Sequence, residues 1–199
     1  MGQDGLAPGK KNATRLSAYL VFIDESGLLM APLVRRSWHP RGVTPVLEQR
    51  TRSHQKVSVI AALCVPPSRD AVQLYFRLHP HANLNAIAIR AFLRQLNRQL
   101  GAPWILIWDR LQAHRARIVQ VFLASQSHVR SEYLPPYAPE LNPVEYLWAY
   151  LKHNPLANAP FFDVDELADE ARSHTRSVQH QPSILRSFVL HSPLSLRLK

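Results

Sequence analysis

Pro103-Trp-Ile-Leu-Ile-Trp108 is an unbroken apolar run that stops at Asp109. Apolar residues without alternation describe a strand covered on both faces, the pattern of a central parallel strand rather than of a half-exposed hairpin. A second run of the same kind, Tyr19-Leu-Val-Phe-Ile-Asp24, also ends on an aspartate. In an extended chain Leu20, Phe22 and Asp24 share one face and Tyr19, Val21 and Ile23 the other, so this strand is also predicted to be buried on both sides.

Between these two runs, Gly27 predicts a turn. Short β-rich stretches over Leu28–Val34, Val43–Leu47, Lys56–Val65 and Ala71–Leu78, divided by Pro and Gly, predict an antiparallel meander. Helical spacing over Asn85–Leu100 predicts a helix that buries Ile89, Phe92, Leu93, Leu96 and Leu100 and is closed by Gly101 and Pro103. Beyond Asp109 the expected elements are a helix over Ala113–Ser125, a strand over Val129–Leu134 and a rigid loop over Pro135–Pro139. A helix from Asn142 to His153 and a helical tail from Asp163 follow. Antiparallel strands followed by alternating helix and strand describe an α/β fold: a ribonuclease H-like mixed sheet, antiparallel meander plus parallel strands, flanked by helices.

Composition agrees with a folded chain. Of 199 residues 46% are hydrophobic, which excludes disorder throughout. A compact chain of this length buries roughly 70% of its unfolded surface, enough for one substantial core. Lys plus Arg number 24 against 14 Asp plus Glu, for a net charge of +10 and a pI near 10.4. Clustered cations gain affinity for polyanions by releasing condensed counterions, so nucleic acid is the first partner to consider. A solvated basic surface accounts for the charge equally well. The single cysteine, Cys64, sits in an apolar run and reads as a small core hydrophobe in a reducing compartment. No signal peptide and no membrane span are expected, and the expected location is cytoplasmic.

Asp24 in a buried strand needs compensation, because an unpaired buried carboxylate costs several kcal/mol. Taken alone, backbone N–H groups at the strand end would supply it. Asp109 stands at the carboxyl end of a central strand, the edge where open α/β sheets place ligands, although an N-cap role would also account for an aspartate there. Glu145 follows Asn142 by three residues with Pro143 between, which reads as a capping box. The same first-turn position keeps a carboxylate ionised and projects it from the helix end, while Val144, Leu147, Trp148 and Leu151 bury the adjacent face. Three carboxylates without a cysteine cluster suit hard Mg²⁺ or Mn²⁺ and disfavour zinc. Paired ions about 4 Å apart serve phosphodiester chemistry, in agreement with the basic charge.

Glu25 and Glu140 are second choices as ligands, Glu25 because it points opposite Asp24 on an extended strand. Asp163, Asp165, Glu166, Asp169 and Glu170 read as the acidic front of a helix, with Asp163 and Glu166 as its capping box. His39, His54, His79 and His81 lack metal-ligand spacing and read as surface or DNA-facing groups. Arg35, Arg36, Arg41, Arg50 and Arg52 with Trp38 form a basic stretch with an aromatic, suited either to phosphate contact or to a solvated hairpin.

Four segments then bring a family into view: Phe22-Ile-Asp-Glu-Ser-Gly27, Trp38-His-Pro-Arg-Gly-Val-Thr-Pro45, Trp108-Asp-Arg-Leu-Gln-Ala-His114-Arg115, and Tyr133-Leu-Pro-Pro-Tyr-Ala-Pro-Glu-Leu-Asn-Pro-Val-Glu145 with Trp148 and Lys152. They closely resemble the DDE catalytic domain of bacterial insertion-sequence transposases of the mariner superfamily, over roughly 16–152. The resemblance places the Asp, Asp, Glu set on Asp24, Asp109 and Glu145, close to the usual spacing. It implies a ribonuclease H-like fold, two bound Mg²⁺ ions replaceable by Mn²⁺, hydrolytic nicking at transposon ends, and transfer of the freed 3′-hydroxyl into target DNA. Asp24 would bridge both ions, and Asp109 and Glu145 would each complete one site. Arg35, Arg36, Trp38, Arg41, His114, Arg115 and Lys152 are the expected DNA-facing residues, with His114 on a helix surface and without catalytic duty.

The implied organisation is a flexible leader over 1–15, a catalytic domain over 16–155 and a helical extension over 156–199 packing on the same domain. Relatives carry N-terminal helix-turn-helix modules, and Asp24 falls too early for one to precede it. The resemblance therefore allows a separately encoded recognition portion, a second reading frame, a separately acting catalytic subunit or a truncated remnant. Double-stranded DNA is the expected partner, and a homodimer is allowed. The competing functional readings are a catalytically silent DNA-binding or assembly fragment, which would bind DNA without metal-dependent cleavage, and a structure-specific nuclease that cuts but never joins.

Overall fold

The computed structural model describes residues 17–31, 34–36, 40–44, 46, 55–194 and 196–199. Five strands, β1 (Tyr19–Leu29), β2 (Lys56–Val65), β3 (Gln73–His79), β4 (Trp104–Trp108) and β5 (Val129–Tyr133), form one sheet in the order β3-β2-β1-β4-β5. The β1–β2 and β2–β3 pairs are antiparallel, and the β1–β4 and β4–β5 pairs are parallel. Among the described residues five α-helices flank it: α1 (Ala86–Leu100), α2 (Arg117–Ala124), α3 (Val144–His153), α4 (Val164–Gln179) and α5 (Pro182–His191). This is the ribonuclease H-like mixed sheet that the order of elements predicts.

Alternation along the strands divides the apolar residues between two cores. On one face Val21, Ile23, Leu106 and Trp108 join a core with α1 and α2 residues such as Leu93 and Val119. On the other, Leu20, Phe22, Ile105 and Ile107 join a core with α3, α4 and α5 through residues such as Leu147, Leu167 and Phe188. Helix α1 buries the five residues expected of it; Asn85 caps its start and Gly101, at φ 57°, its end.

Several local expectations are corrected. Gly27 makes no turn: β1 runs through it, paired with Ser58, so no separate strand begins at Leu28. A Cβ at Gly27 would lie 3.1 Å from Lys56 Cδ, so the absence of a side chain leaves room for the Lys56 stem on the neighbouring strand. Val43 and Thr44 follow a turn at Arg41 and Gly42 and are not strand, and the rest of the run expected over Val43–Leu47 is mostly outside the described residues. The helix expected from Ala113 starts at Arg117, because residues 112–115 form a turn that carries His114 inward. The helix expected from Asn142 starts at Val144, because Asn142 is extended and its side chain is used elsewhere. Trp38, His39, Arg50, Arg52, His54 and the leader over 1–15 lie outside the described residues.

Candidate active site

Parallel pairing between β1 and β4 runs from Tyr19 opposite Trp104 to Phe22 opposite Ile107. Asp24, within β1, and Asp109, just past β4, each lie two residues beyond that last pair. Asp24 alternates onto the side of the sheet that Phe22 faces, and Asp109, the first residue past β4, lies beside it at the mouth of the same cleft. This is the α3 side, and Glu145 enters from the first turn of α3. All three carboxylates line one cleft of about 310 Å³, whose remaining wall includes Arg110, Tyr137, Pro139 and Asn142.

Each carboxylate has a distinct environment. Asp24 Oδ2 accepts a hydrogen bond from Trp148 Nε1 at 2.7 Å. Burial, then the charges of Glu145, Glu25 and Asp109, push the Asp24 carboxyl up to about 8 against the opposing effect of Trp148. Glu145 is also raised, by burial and by Asp109, with Lys152 pulling the other way. Asp109 is lowered, first by its hydrogen bond with His114, which outweighs burial, and further by the Leu111 N–H, 2.9 Å from Oδ1.

Helix α3 is set by Asn142, which is buried. Its Nδ2 donates to the Ile23 carbonyl of β1 at 3.0 Å, and its Oδ1 accepts from Val144 N at 3.2 Å. The expected capping box is therefore absent. The Asn142 N–H donates to Pro139 O instead, so Glu145 has no capping duty and its carboxylate is left to the cleft.

His114 departs from its expected placement. It is neither on a helix surface nor turned toward DNA, but fully buried and stacked on Trp108 at 4.0 Å between ring centroids. Nδ1 lies 2.9 Å from Asp109 Oδ1 and Nε2 2.9 Å from Glu25 Oε1. Burial opposes its charge, yet the hydrogen bonds with Asp109 and Glu25 hold it up at about 9, so both ring nitrogens donate. Glu25 thus belongs to His114 and not to the cleft. Glu140 is exposed on the 3₁₀ turn Pro139–Leu141 and does not line the cleft.

Arg35, Arg36, Arg41 and Arg115 are exposed. Asn158 holds the backbone of Arg35 through bonds of 2.7 and 3.0 Å, which ties that basic segment to the α3–α4 connection. Lys152 Nζ donates to Ser26 Oγ at 2.7 Å. Asp163 caps α4 as expected, accepting from Glu166 N at 2.8 Å. His81 pairs with Asp165 at 2.8 Å on the surface. Sequence reading passed over Tyr137, which is fully exposed at the rim of the cleft with φ 58°, a strained value for a residue with a side chain. Its position in a Pro-flanked loop beside the second and third carboxylates was the available signal.

The donor set is oxygen only, since both nitrogens of His114 are already engaged. Asp24 and Glu145 are both raised by burial and by neighbouring carboxylates, and a hard divalent cation among the three carboxylates would relieve that repulsion. Among the described residues, no three His, Cys, Asp or Glu side chains converge closely enough to hold an ion as they stand. Asp24 Oδ2 and Asp109 Oδ1 are turned to protein donors, so binding requires the carboxylates to orient their other oxygens into the cleft. Among the described residues no helix is long and apolar enough to cross a membrane.

A family model described as DDE superfamily endonuclease matches residues 19–168. The uncharacterized protein y4pE/y4sA of Sinorhizobium fredii (strain NBRC 101917 / NGR234) is 31% identical over 97 residues, covering 48% of this chain and 69% of that protein. Among solved structures, the Mos1 mariner paired end complex with Mn aligns with a TM-score of 0.64 at 20% identity, over 96% of this chain and 58% of that one. The Mos1 transposase catalytic domain with Raltegravir and Mg aligns with a TM-score of 0.52 at 19% identity, over 97% and 92%. At these identities the likeness is one of fold. The chain spans 58% of the length of the Mos1 chain in the paired end complex.

Proposed function

The chain belongs to the DDE superfamily endonuclease family, and from that premise we propose that it is a transposase catalytic domain that nicks phosphodiester bonds at transposon ends and transfers the freed 3′-hydroxyl into target DNA. One observation carries the reading: Asp24, Asp109 and Glu145 line a single cleft at the edge where β1 and β4 part, and burial with mutual repulsion holds Asp24 up at about 8. Such a cluster is costly to the fold unless cations use it. The Mos1 structures with Mn and with Mg support divalent metal as the cation.

Asp24, Asp109 and Glu145 would hold two Mg²⁺ or Mn²⁺ ions, with Asp24 shared between them. When bound, such ions lower the barrier by activating a water or 3′-hydroxyl and by stabilising the leaving oxygen. The chain's own residues prepare the place. Trp148 Nε1 holds Asp24 Oδ2 and leaves Oδ1 for the cleft, and Lys152 lowers the proton affinity of Glu145. Arg110, which lines the cleft, and Arg115, exposed beyond it, are suited to phosphate contact, and Tyr137 offers a ring to a base at the rim. Arg35, Arg36, Arg41 and, outside the described residues, Trp38 extend the proposed DNA contact. Assembly as a homodimer on duplex DNA completes the proposal.

The test is nicking of a supercoiled plasmid and joining of a pre-cut duplex end, each with Mg²⁺, Mn²⁺ or chelator. Native protein is expected to act only with metal, while Asp24→Asn, Asp109→Asn and Glu145→Gln bind duplex DNA and fall to the chelator baseline. Salt-sensitive DNA binding by native protein without metal-dependent nicking would mark a silent binding fragment instead. Nicking without joining would mark a nuclease.

A further inference from the structure

Asp109 lies just past the end of β4, with its side chain half exposed, and strand pairing does not orient it. What holds it comes from elsewhere in the chain. The turn over 112–115 brings the His114 ring back under Asp109, where it stacks on Trp108 on the α1/α2 side of the sheet. Nδ1 meets Asp109 Oδ1 at 2.9 Å. Nε2 meets both oxygens of Glu25, at 2.9 and 3.2 Å. Glu25 is the residue after Asp24 on β1, so strand alternation sends it to the face opposite Asp24. A single imidazole therefore spans β1 and β4 at the level where their backbone pairing has stopped.

We propose that Glu25 and His114 form a brace that positions Asp109 for metal binding. The proposal rests on the metal reading above. Asp109 Oδ1 receives His114 Nδ1 and Leu111 N, while among the described residues no protein donor bonds Oδ2. The brace thus fixes the plane of the carboxylate and leaves one oxygen for the cleft. Glu25 cannot itself be a ligand in this arrangement, because both its oxygens face His114 and its side chain is only 12% exposed. Neither residue touches substrate; both act through Asp109. Because Glu25 sits next to Asp24, the brace also ties the spacing of the two aspartates to a side-chain contact, in place of the missing strand hydrogen bonds. Packing alone would not need two carboxylates on one ring, since an apolar side chain would stack on Trp108 as well.

The test uses the full chain and Mn²⁺, with electron paramagnetic resonance as the readout, in the presence and absence of duplex DNA. Glu25→Gln and His114→Asn are expected to weaken Mn²⁺ binding by about 10- to 100-fold, the usual cost of removing an outer partner of a ligand. Both are expected to keep native DNA affinity in chelator, and Asp109→Ala is expected to abolish the Mn²⁺ site. In metal-free protein labelled with ¹⁵N-histidine, Asp109→Asn should shift the Nδ1–H resonance of His114 and Glu25→Gln its Nε2–H resonance. If Glu25→Gln and His114→Asn bind Mn²⁺ like native protein while Asp109→Ala does not, the metal reading stands and the brace is overturned. If Asp109→Ala binds Mn²⁺ like native protein, the metal reading falls and takes the brace with it. Should His114→Asn not fold, Glu25→Gln decides by the same outcomes.

Discussion

Asp24 shows at the scale of one side chain why this site is poised for a cation. Its carboxyl is held up at about 8 by burial and by the facing Glu145, against an unfolded value near 4. A folded-state value above the unfolded one costs nothing while both states are protonated. The penalty then grows as pH rises between the two values and is fully present above the higher one. A separation of this size corresponds to a penalty on the order of several kcal/mol, a large share of the roughly 5–15 kcal/mol that holds a typical domain together. Asp24→Asn is therefore expected to stabilise the metal-free protein, little near about pH 4 and most above about pH 8. Urea unfolding at the two ends of that range checks this, and a gain that does not grow with pH would contradict it. Mn²⁺ should raise the stability of native protein and leave Asp24→Asn nearly unmoved, since only a ligand bound by the folded state stabilises it.

Helix α3 carries Glu145 into the cleft, and its placement depends on one buried amide. Asn142 donates to the Ile23 carbonyl in the part of β1 that lies beyond the last pair with β4, and it accepts from the Val144 N–H. Asn142→Ala leaves both backbone groups buried without these partners, at a cost of about 1–3 kcal/mol for each. The expected outcome is a loss of that size in chemical denaturation, accompanied by weaker Mn²⁺ binding because the first turn of α3 is no longer anchored to β1. Unchanged stability would mean that water or a local shift satisfies both groups. The apolar stripe Val144, Leu147, Trp148 and Leu151 was legible from helical spacing and is the buried face. The capping box was not a correct reading. Asn and Glu three apart fit that motif locally, but Asn142 has a better use 119 residues away in sequence.

At the scale of the molecule the sheet is covered by helices on both faces, and α4 and α5 complete one of the two cores. They contribute Val164, Leu167, Ala168, Ala171, Val178, Leu185, Phe188 and Val189 to the core that also holds Leu20, Phe22 and α3. Gln179 adds a bond of 2.7 Å to the Leu74 carbonyl of β3. Each large apolar side chain among them is worth about 1.5–3 kcal/mol when buried, so their sum exceeds the net stability of most domains. We propose that residues 156–199 belong to the same cooperative unit as residues 16–155. A chain ending at residue 155 is expected to lack a cooperative thermal transition and to aggregate. A sharp transition near that of the full chain would show that the two parts fold separately.

Sequence alone determined the types of the main elements, the faces they bury, and the positions of Asp109 at a strand end and Glu145 at a helix start. These are properties of consecutive residues: unbroken apolar runs, alternation with period two, and helical spacing. Asp24, read as the end of its strand, lies instead within β1, which runs on to Leu29. Tertiary structure decided which strands meet, because the β1–β4 register that sets Asp24 beside Asp109 comes from packing between distant segments. It also decided the fate of His114. Five residues past Asp109, in a stretch that reads as helix, nothing local signals that the chain turns inward there. Glu25 and His114, 89 residues apart, become partners only when β1 and β4 lie side by side with Trp108 beneath the ring.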